Sequence, residues 1–277
     1  MSTVPEDVLV VTGVGGMGIA VARRLGSGRR VLLADVDAAA AESAADRLRG
    51  EGYDATPVEV DVASRASVGA LAERAATLGV VRTVVHTAGL SPVQASVRAI
   101  LDVDLLGVAY VLDAFGAVIA PNGSGVVIAS MAGHSVQGWP SADMRGLATT
   151  PAAELAGSAL LAEGEFAGPG MAYAFAKCVN LMQVQAASEV WGRRGARVNS
   201  VSPGVIATPM GNSELDSEHG ARMRDAVAAS NAGRVGTPAE VAEAVAFLTG
   251  PAAGFVSGTD LLVDGGVTAV QHARAGH

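Results

Sequence analysis

The sequence predicts one doubly wound α/β domain: a seven-stranded parallel sheet with helices on both faces and a small helical insertion. Three observations carry that prediction. Short β-branched runs alternate with longer alanine-rich segments, as stacked βαβ units require. The runs are continuously apolar, as strands covered on both faces should be. Half of the 277 residues are hydrophobic and 17% are charged, enough apolar matter for one large core.

Strands are expected at 8–12, 30–34, 56–60, 83–86, 126–130, 197–201 and 260–263, each a short β-rich run. Helices are expected between them at 16–26, 38–49, 64–78, 97–119, 171–193, 218–230 and 238–249. Thr237, followed by Pro238 and Glu240, has the residue types of a helix start. One link breaks the rhythm: some forty residues separate Ser130 from Tyr173, too many for a strand-to-helix turn. Within it Thr150 and Pro151 open an apolar, alanine-rich stretch, 152–161, that reads as an inserted helix. Gly164, Gly168, Pro169 and Gly170 return the chain to the sheet. The expectation is a single nucleotide-binding domain over 1–277, with 134–170 as a helical cap within it.

Composition removes several function classes. A net charge of −8 with no basic cluster argues against nucleic acid. No apolar run reaches the ~20 residues of a membrane span, and residues 1–7 lack the basic-then-apolar layout of a secretion signal. Cys178 is the single cysteine, which excludes an intrachain disulfide and fits a reducing, cytoplasmic setting. No His, Cys or acid cluster has metal-ligand spacing, so no metal is expected.

The first strand runs into Thr12-Gly13-Val14-Gly15-Gly16-Met17-Gly18, where a helix opens. Gly13, Gly15 and Gly18 satisfy G-x-G-x-x-G in the strand–turn–helix context that gives the motif its mechanism. The turn needs glycine freedom, and the helix N-terminus attracts the pyrophosphate of a dinucleotide. The second strand ends at Asp35, 17 residues beyond Gly18, where an acid can accept both ribose hydroxyls. Its carboxylate would repel the 2′-phosphate of NADP, and Val36 follows rather than an arginine, so NAD(H) is the expected cofactor. A solvated strand end or a helix cap is the plainer account of Asp35.

Lys177 is the single lysine among 19 basic residues, and it lies four positions after Tyr173. Arginine would serve a surface charge, so a retained lysine points to a site needing a compact ammonium. Spacing of i and i+4 on a helix sets phenol and ammonium on one face. A cation there lowers a phenol's pKa, as a tyrosine acid/base requires.

Together these residues resemble the short-chain dehydrogenase/reductase family over essentially the whole chain. The matching motifs come in order: Gly13 to Gly18, Asp61-Val62, Thr87-Ala88-Gly89, Ser130, Tyr173/Lys177, the segment from Pro203-Gly204 through Ile206 to Thr208-Pro209, and the terminal Val263-Asp264-Gly265-Gly266. The resemblance implies a Rossmann-type fold and hydride exchange between a nicotinamide cofactor and a secondary alcohol or ketone. It gives Tyr173 the proton transfer, Lys177 the nicotinamide ribose and the lowering of the Tyr173 pKa, and Ser130 the substrate oxygen. It also implies that Asp61 meets the adenine, and that Thr208 with the backbone near Ile206 holds the carboxamide. Homodimers or homotetramers are implied as well, through helices 97–119 and 171–193 or the last strand. The tail from Val267 reads as disordered or as a cover for a neighbouring subunit's pocket.

Three departures stand out. The glycine turn is one residue shorter than the family's usual form. Asp104 occupies the place of an asparagine that leads a water-mediated proton relay; an aspartate can still hold a water but adds charge that raises the Tyr173 pKa. The long link before Tyr173 and the Gly-Gly ending are similar to the bacterial 3-alpha-hydroxysteroid dehydrogenase/carbonyl reductase branch.

The expected substrate lies over the nicotinamide, walled by Ala88, Leu90, His134, Val136, Trp139, Met144, Phe166, Met210 and Leu215, although a surface-loop residue is the readier account of His134. These are largely apolar and include no arginine, which favours a neutral steroid- or terpenoid-like alcohol or ketone. Two other readings stay open. An NADPH-dependent ketoreductase on a carrier-bound or polyketide substrate would prefer NADPH. A dinucleotide-binding regulator would show no turnover that Tyr173→Phe could remove.

Overall fold

The computed structural model describes residues 6–135, 141–218 and 220–275. Seven parallel strands form one sheet: β1 Asp7–Thr12, β2 Arg30–Asp35, β3 Asp54–Glu59, β4 Val80–His86, β5 Ser124–Ile128, β6 Arg197–Pro203 and β7 Asp260–Val263. Their order is β3-β2-β1-β4-β5-β6-β7, so the winding reverses between β1 and β4. Ligands on such sheets bind beyond the strands' carboxyl ends at that reversal. The register there is continuous, with Thr12 opposite Ala34 on one side and opposite His86 on the other.

Helices α1 Gly16–Leu25, α2 Ala38–Gly50 and α3 Arg65–Leu78 return the chain between the first four strands. The expected helix at 97–119 is three pieces: α4 Val97–Ile100, a π-helical stretch Leu101–Leu106, and α5 Gly107–Val118. Nothing in the composition of LDVDLL marks the wide turn. Between β5 and the long α8 Pro169–Arg193 lie α6 Ser141–Thr149 and α7 Ala152–Leu155, then two 3-10 turns. The helix expected at 152–161 is therefore only four residues long, and the chain is extended by Ser158. The longer inserted helix, α6, has no clear signature in the sequence because Gly146 and mixed polarity blur its period. After β6 come α9 Pro209–Leu215, α10 Gly220–Ala229 and α11 Pro238–Thr249, whose Thr237 and Glu240 form a reciprocal capping box. The tail from Val267 is helix α12, Val267–Ala275.

Two apolar cores cover the sheet. One holds α3, the π stretch, α5, α8 and the buried residues Met144, Leu147, Leu155, Leu161 and Phe166; the other holds α1, α2 and α11. α8 is fixed by Trp191, which is fully buried and donates from its indole N–H to the Leu112 carbonyl at 3.1 Å. The indole fills space left by Gly125, where a Cβ would lie 2.5 Å from the ring. Truncating such an anchor typically costs about 3–5 kcal/mol, and the helix that it holds carries Tyr173 and Lys177. Among the described residues, no helix is long and apolar enough to cross a membrane.

Candidate active site

The glycine turn is shaped by contacts that only glycine permits. Gly13 has φ +88°, and a Cβ on it would lie 2.6 Å from the Ala88 backbone nitrogen. A Cβ on Gly18 would overlap the Gly13 carbonyl, so this position lets α1 close against the turn. Gly15 differs: nothing lies within 4 Å of the space its Cβ would fill. It caps α1 without a side-chain bond, leaving the helix N–H groups facing a groove of about 510 Å³. An open cradle at a helix N-terminus fits a dinucleotide pyrophosphate.

That groove gathers most of the cofactor residues read from the sequence: Gly13, Gly15, Gly16, Met17, Gly18, Asp35, Asp61, Val62, Thr87, Ala88, Gly89 and Thr208, with Leu90 and Met210 also on its wall. Asp35 takes the Val14 N–H at 2.8 Å and the Asp37 N–H at 3.1 Å, which aims the carboxylate at the groove. Asp61 accepts the Ala63 N–H at 2.9 Å. Thr87 lines the groove, but its hydroxyl is occupied with the Thr12 and Gly13 carbonyls at 3.0 and 2.8 Å. It staples β4 to the glycine turn.

A second cavity of about 320 Å³ adjoins the first, sharing Met17, Thr208 and Met210 with it. Its wall includes Ser130, Tyr173, Pro203, Gly204 and Ile206. Ser130 sits just past the end of β5, and its Oγ accepts the Ala132 N–H at 3.2 Å. The 3-10 turn Met131–Ser135 that follows rests on α8 so closely that a Cβ on Gly133 would meet the Lys177 carbonyl carbon at 2.8 Å. This contact brings Ser130 beside Tyr173 on one cavity wall, near enough to favour the phenolate. Lys177 Nζ lies 5.4 Å from the Tyr173 ring centroid and donates to the Ile128 carbonyl at 3.3 Å.

The decisive contact is the one with Asp104. Its Oδ1 lies 2.9 Å from Lys177 Nζ, with both side chains buried, while Oδ2 takes the Leu90 N–H at 3.1 Å. The Oδ1 contact is ionic rather than a well-aligned hydrogen bond, since that oxygen has no aligned donor among the described residues. Gly89 makes room: a Cβ there would come 2.7 Å from Asp104 Oδ1. Burial pushes the Asp104 carboxyl up, against the pull of Lys177. Burial alone would lower the Lys177 ammonium, but the fields of Asp104 and Tyr173 more than offset it and hold the ammonium above its ordinary range. Tyr173 is also pushed up: burial is the largest cause, Lys177 opposes it, and Asp104 opposes Lys177. Lys177 thus draws the phenol down as its spacing predicts, but burial outweighs that pull, and Asp104 beside the cation offsets part of its field. Around the pair, His86 Nε2, both polar atoms of Asn180 and Gln183 Oε1 are buried without partners among the described residues. His86 is held neutral, its pKa lowered to about 3 by burial and then by Lys177.

Other expected wall residues lie elsewhere. His134 faces Asp260, Nε2 to Oδ2 at 2.9 Å, and Asp260 also takes the Ser200 and Ser202 hydroxyls. It belongs to the packing of β6 on β7 and does not line either cavity, because an acid on β7 offers it a partner. Met144 and Phe166 are in the core, Phe166 edge-on to Phe175 with centroids 5.3 Å apart. Leu215, at the end of α9, lies outside the lining of both cavities. Trp139 and Val136 fall outside the described residues. The sequence reading missed Pro92, Val93, Met131, Glu214, Ser217 and Met223, all on the second cavity's wall. Glu214 was the findable one, as an acid on a short segment directly after the Pro-Gly motif. Among the described residues, no group of three or more His, Cys, Asp or Glu side chains could hold a metal ion.

Residues 7–142 match the family model described as short chain dehydrogenase, and residues 145–268 the one described as enoyl-(acyl carrier protein) reductase. The chain is 42% identical over 265 residues to short-chain dehydrogenase/reductase bsc3 of Alternaria brassicicola, covering 95% of this chain and 96% of that one. It is 34% identical over 276 residues to cis-4-hydroxycyclohexanecarboxylate dehydrogenase of Sinomonas cyclohexanicum, covering 96% and 98%. The solved structure of the 3-alpha-hydroxysteroid dehydrogenase from Pseudomonas sp. B-0831, complexed with NADH, is similar with a TM-score of 0.76 and 28% identity, over 96% of this chain and 99% of that one.

Proposed function

The chain belongs to the short-chain dehydrogenase/reductase family of oxidoreductases acting on alcohols and ketones, and we propose that it exchanges hydride between NAD(H) and an apolar secondary alcohol or its ketone. One observation carries this reading. Ser130 and Tyr173 lie on the wall of a second, largely apolar cavity that adjoins the glycine-turn groove, with Lys177 buried beside Tyr173. A bound nicotinamide supplies the hydride acceptor for oxidation and the donor for reduction.

The chain's own residues do the rest. The α1 N-terminus and the open side of Gly15 take the pyrophosphate, Asp61 and Val62 border the adenine end, and Asp35 accepts the ribose hydroxyls. Lys177 reaches the nicotinamide ribose, and Thr208 with the Ile206 backbone and the Pro203–Gly204 turn flanks the nicotinamide end. Ser130 donates to the substrate oxygen and fixes it against Tyr173. In oxidation the alcohol O–H proton passes to the Tyr173 phenolate as its C–H hydride leaves, and a ketone remains. In reduction the neutral phenol returns that proton to the oxygen.

Asp35 supports NAD(H) over NADP(H), because no arginine lines the groove to offset its repulsion of a 2′-phosphate. The structurally similar NADH-bound hydroxysteroid dehydrogenase agrees with this choice. The methionine, valine and proline wall of the second cavity, again without arginine, supports an apolar substrate. Titration with NADH and NADPH, followed by reduced-nicotinamide fluorescence, tests the reading. NADH should bind at least about tenfold tighter, a gap of about 1.4 kcal/mol. Tighter NADPH binding would overturn it and favour a ketoreductase.

A further inference from the structure

Among the described residues, the second cavity holds one ionisable side chain besides Tyr173, and the proton transfer does not use it. Glu214 projects from α9 into the same cavity as Ser130 and Tyr173, close enough for its charge to act on the phenol. The neighbouring hydroxyls are already committed. Thr208 Oγ1 accepts the Gly211 N–H at 3.0 Å, and Ser217 Oγ donates to the Glu214 carbonyl at 2.7 Å. Beyond the reacting oxygen's own partners, Glu214 is therefore, among the described residues, the polar side chain left for a ligand in a wall of Met17, Pro92, Val93, Met210 and Met223.

The carboxylate is positioned, not loose. Ser91, on the loop after β4 and 1% exposed, donates to Glu214 Oε1 at 2.8 Å. Gln94 on the same loop donates to Ser213 Oγ at 3.0 Å, so two bonds tie α9 to that loop. A carboxylate has about four acceptor sites, and Ser91 fills one. Partial burial pushes the Glu214 carboxyl up, with the Ser91 bond pulling it back. An acid kept at that cost in an apolar wall needs a partner to repay its desolvation.

We propose that Glu214 is a specificity-determining residue that accepts a hydrogen bond from a second donor group, a hydroxyl or an ammonium, on the apolar alcohol whose carbon faces Tyr173. The inference rests on the reading above that this cavity takes the alcohol, and it narrows the substrate to apolar diols and amino alcohols. It also predicts poor use of carboxylated analogues, since among the described residues no cation lines the cavity. This chain would then differ in preference from the 34% identical relative named for a hydroxycyclohexanecarboxylate.

The test compares kcat/KM with NAD for cyclohexanol, 1,2-cyclohexanediol, 2-aminocyclohexanol and 4-hydroxycyclohexanecarboxylate. Wild type should favour the diol and the amino alcohol over cyclohexanol by about tenfold or more, and should disfavour the carboxylate. Glu214→Gln keeps an acceptor for Ser91, so it should retain the diol preference and lose that for the amino alcohol. In Glu214→Leu both ratios should fall to about one. Thermal stabilisation of NAD-loaded protein by the corresponding 2-hydroxy- and 2-aminocyclohexanones, relative to cyclohexanone, reads the same preference without turnover, because a ketone cannot react with the oxidised cofactor. Ratios that survive Glu214→Leu would overturn the proposal and leave Glu214 as a latch between α9 and the loop. If wild type neither oxidises nor is stabilised by any of these compounds, the assignment of the cavity to an apolar alcohol fails first.

Discussion

Replacing Asp104 with asparagine isolates the charge that sets the Tyr173 phenol. The amide oxygen of the substituted side chain can still accept the Leu90 N–H now bound by Oδ2, and Lys177 keeps the Ile128 carbonyl, so the local geometry has support. What disappears is a negative charge 2.9 Å from Nζ. Nζ is 5.4 Å from the Tyr173 ring, which places Asp104 Oδ1 no more than ~8 Å from it. At an effective dielectric constant of about 20, a unit charge at ~8 Å is worth about 2 kcal/mol, or about 1.5 pKa units. Asp104 opposes the phenolate, so removing it lowers the Tyr173 pKa. Oxidation needs the phenolate and gains rate as pH rises through that pKa; its rising limb should move to lower pH by about one unit or more. For reduction, which needs the neutral phenol, the falling limb should shift the same way. The assay is the pH profile of kcat/KM at saturating cofactor in both directions, with cofactor common to both proteins so that its own field cancels. Superimposable profiles, or a shift to higher pH, would refute the claim that Asp104 governs the phenol through Lys177.

Tyr173→Phe should cost about 10²-fold or more in turnover, the lower end of general acid–base contributions, while NADH binding by fluorescence persists; comparable turnover would remove Tyr173 from the chemistry. Two glycines of one turn should respond differently. Gly18→Ala meets the Gly13 carbonyl and should lose about 1–3 kcal/mol of stability in denaturant melts. Gly15→Ala fills open space and should melt within about 0.5 kcal/mol of wild type, yet bind NADH at least about tenfold more weakly. His134→Ala should leave alcohol kinetics alone and weaken the fold in a pH-dependent way. The Asp260 bond raises the His134 pKa, so its stabilisation is complete below the ordinary histidine pKa and fades as pH rises through the elevated value. The gap in Tm between wild type and His134→Ala should thus be larger at pH 6 than at pH 9, by about 2 °C if the pair is worth about 1 kcal/mol; an equal gap would show that its charge does not matter.

The sheet was legible because each buried strand declares itself locally: VLVV and VLLA admit few alternatives in a chain this rich in helix formers. The glycine turn was legible for a similar reason, since strand, turn and helix dipole are contiguous. Pairings across the fold were not. His134 meets Asp260 across 126 positions and Ser91 meets Glu214 across 123, and neither pairing leaves a local trace. The sign of the Tyr173 shift was not legible, because spacing shows that Lys177 shares its face but not how deeply the phenol is packed. Burial then decides the sign, and burial is a property of the packed chain.

The wide stretch Leu101–Leu106 has a consequence for how the acid at 104 came to face the lysine. There the Gly107 N–H reaches back five residues to the Asp102 carbonyl, a ladder that holds more residues per turn than an α-helix. Each residue of an α-helix turns its side chain by about 100°. Losing one residue from 101–106 would let the coil tighten to ordinary pitch and rotate position 104 off the lysine, with its chemistry unaltered. The acid's identity and its address are thus encoded separately, one by a codon and the other by a count. A lineage could disconnect the carboxylate from the tyrosine by a single in-frame deletion, with every recognisable motif of the chain still in place.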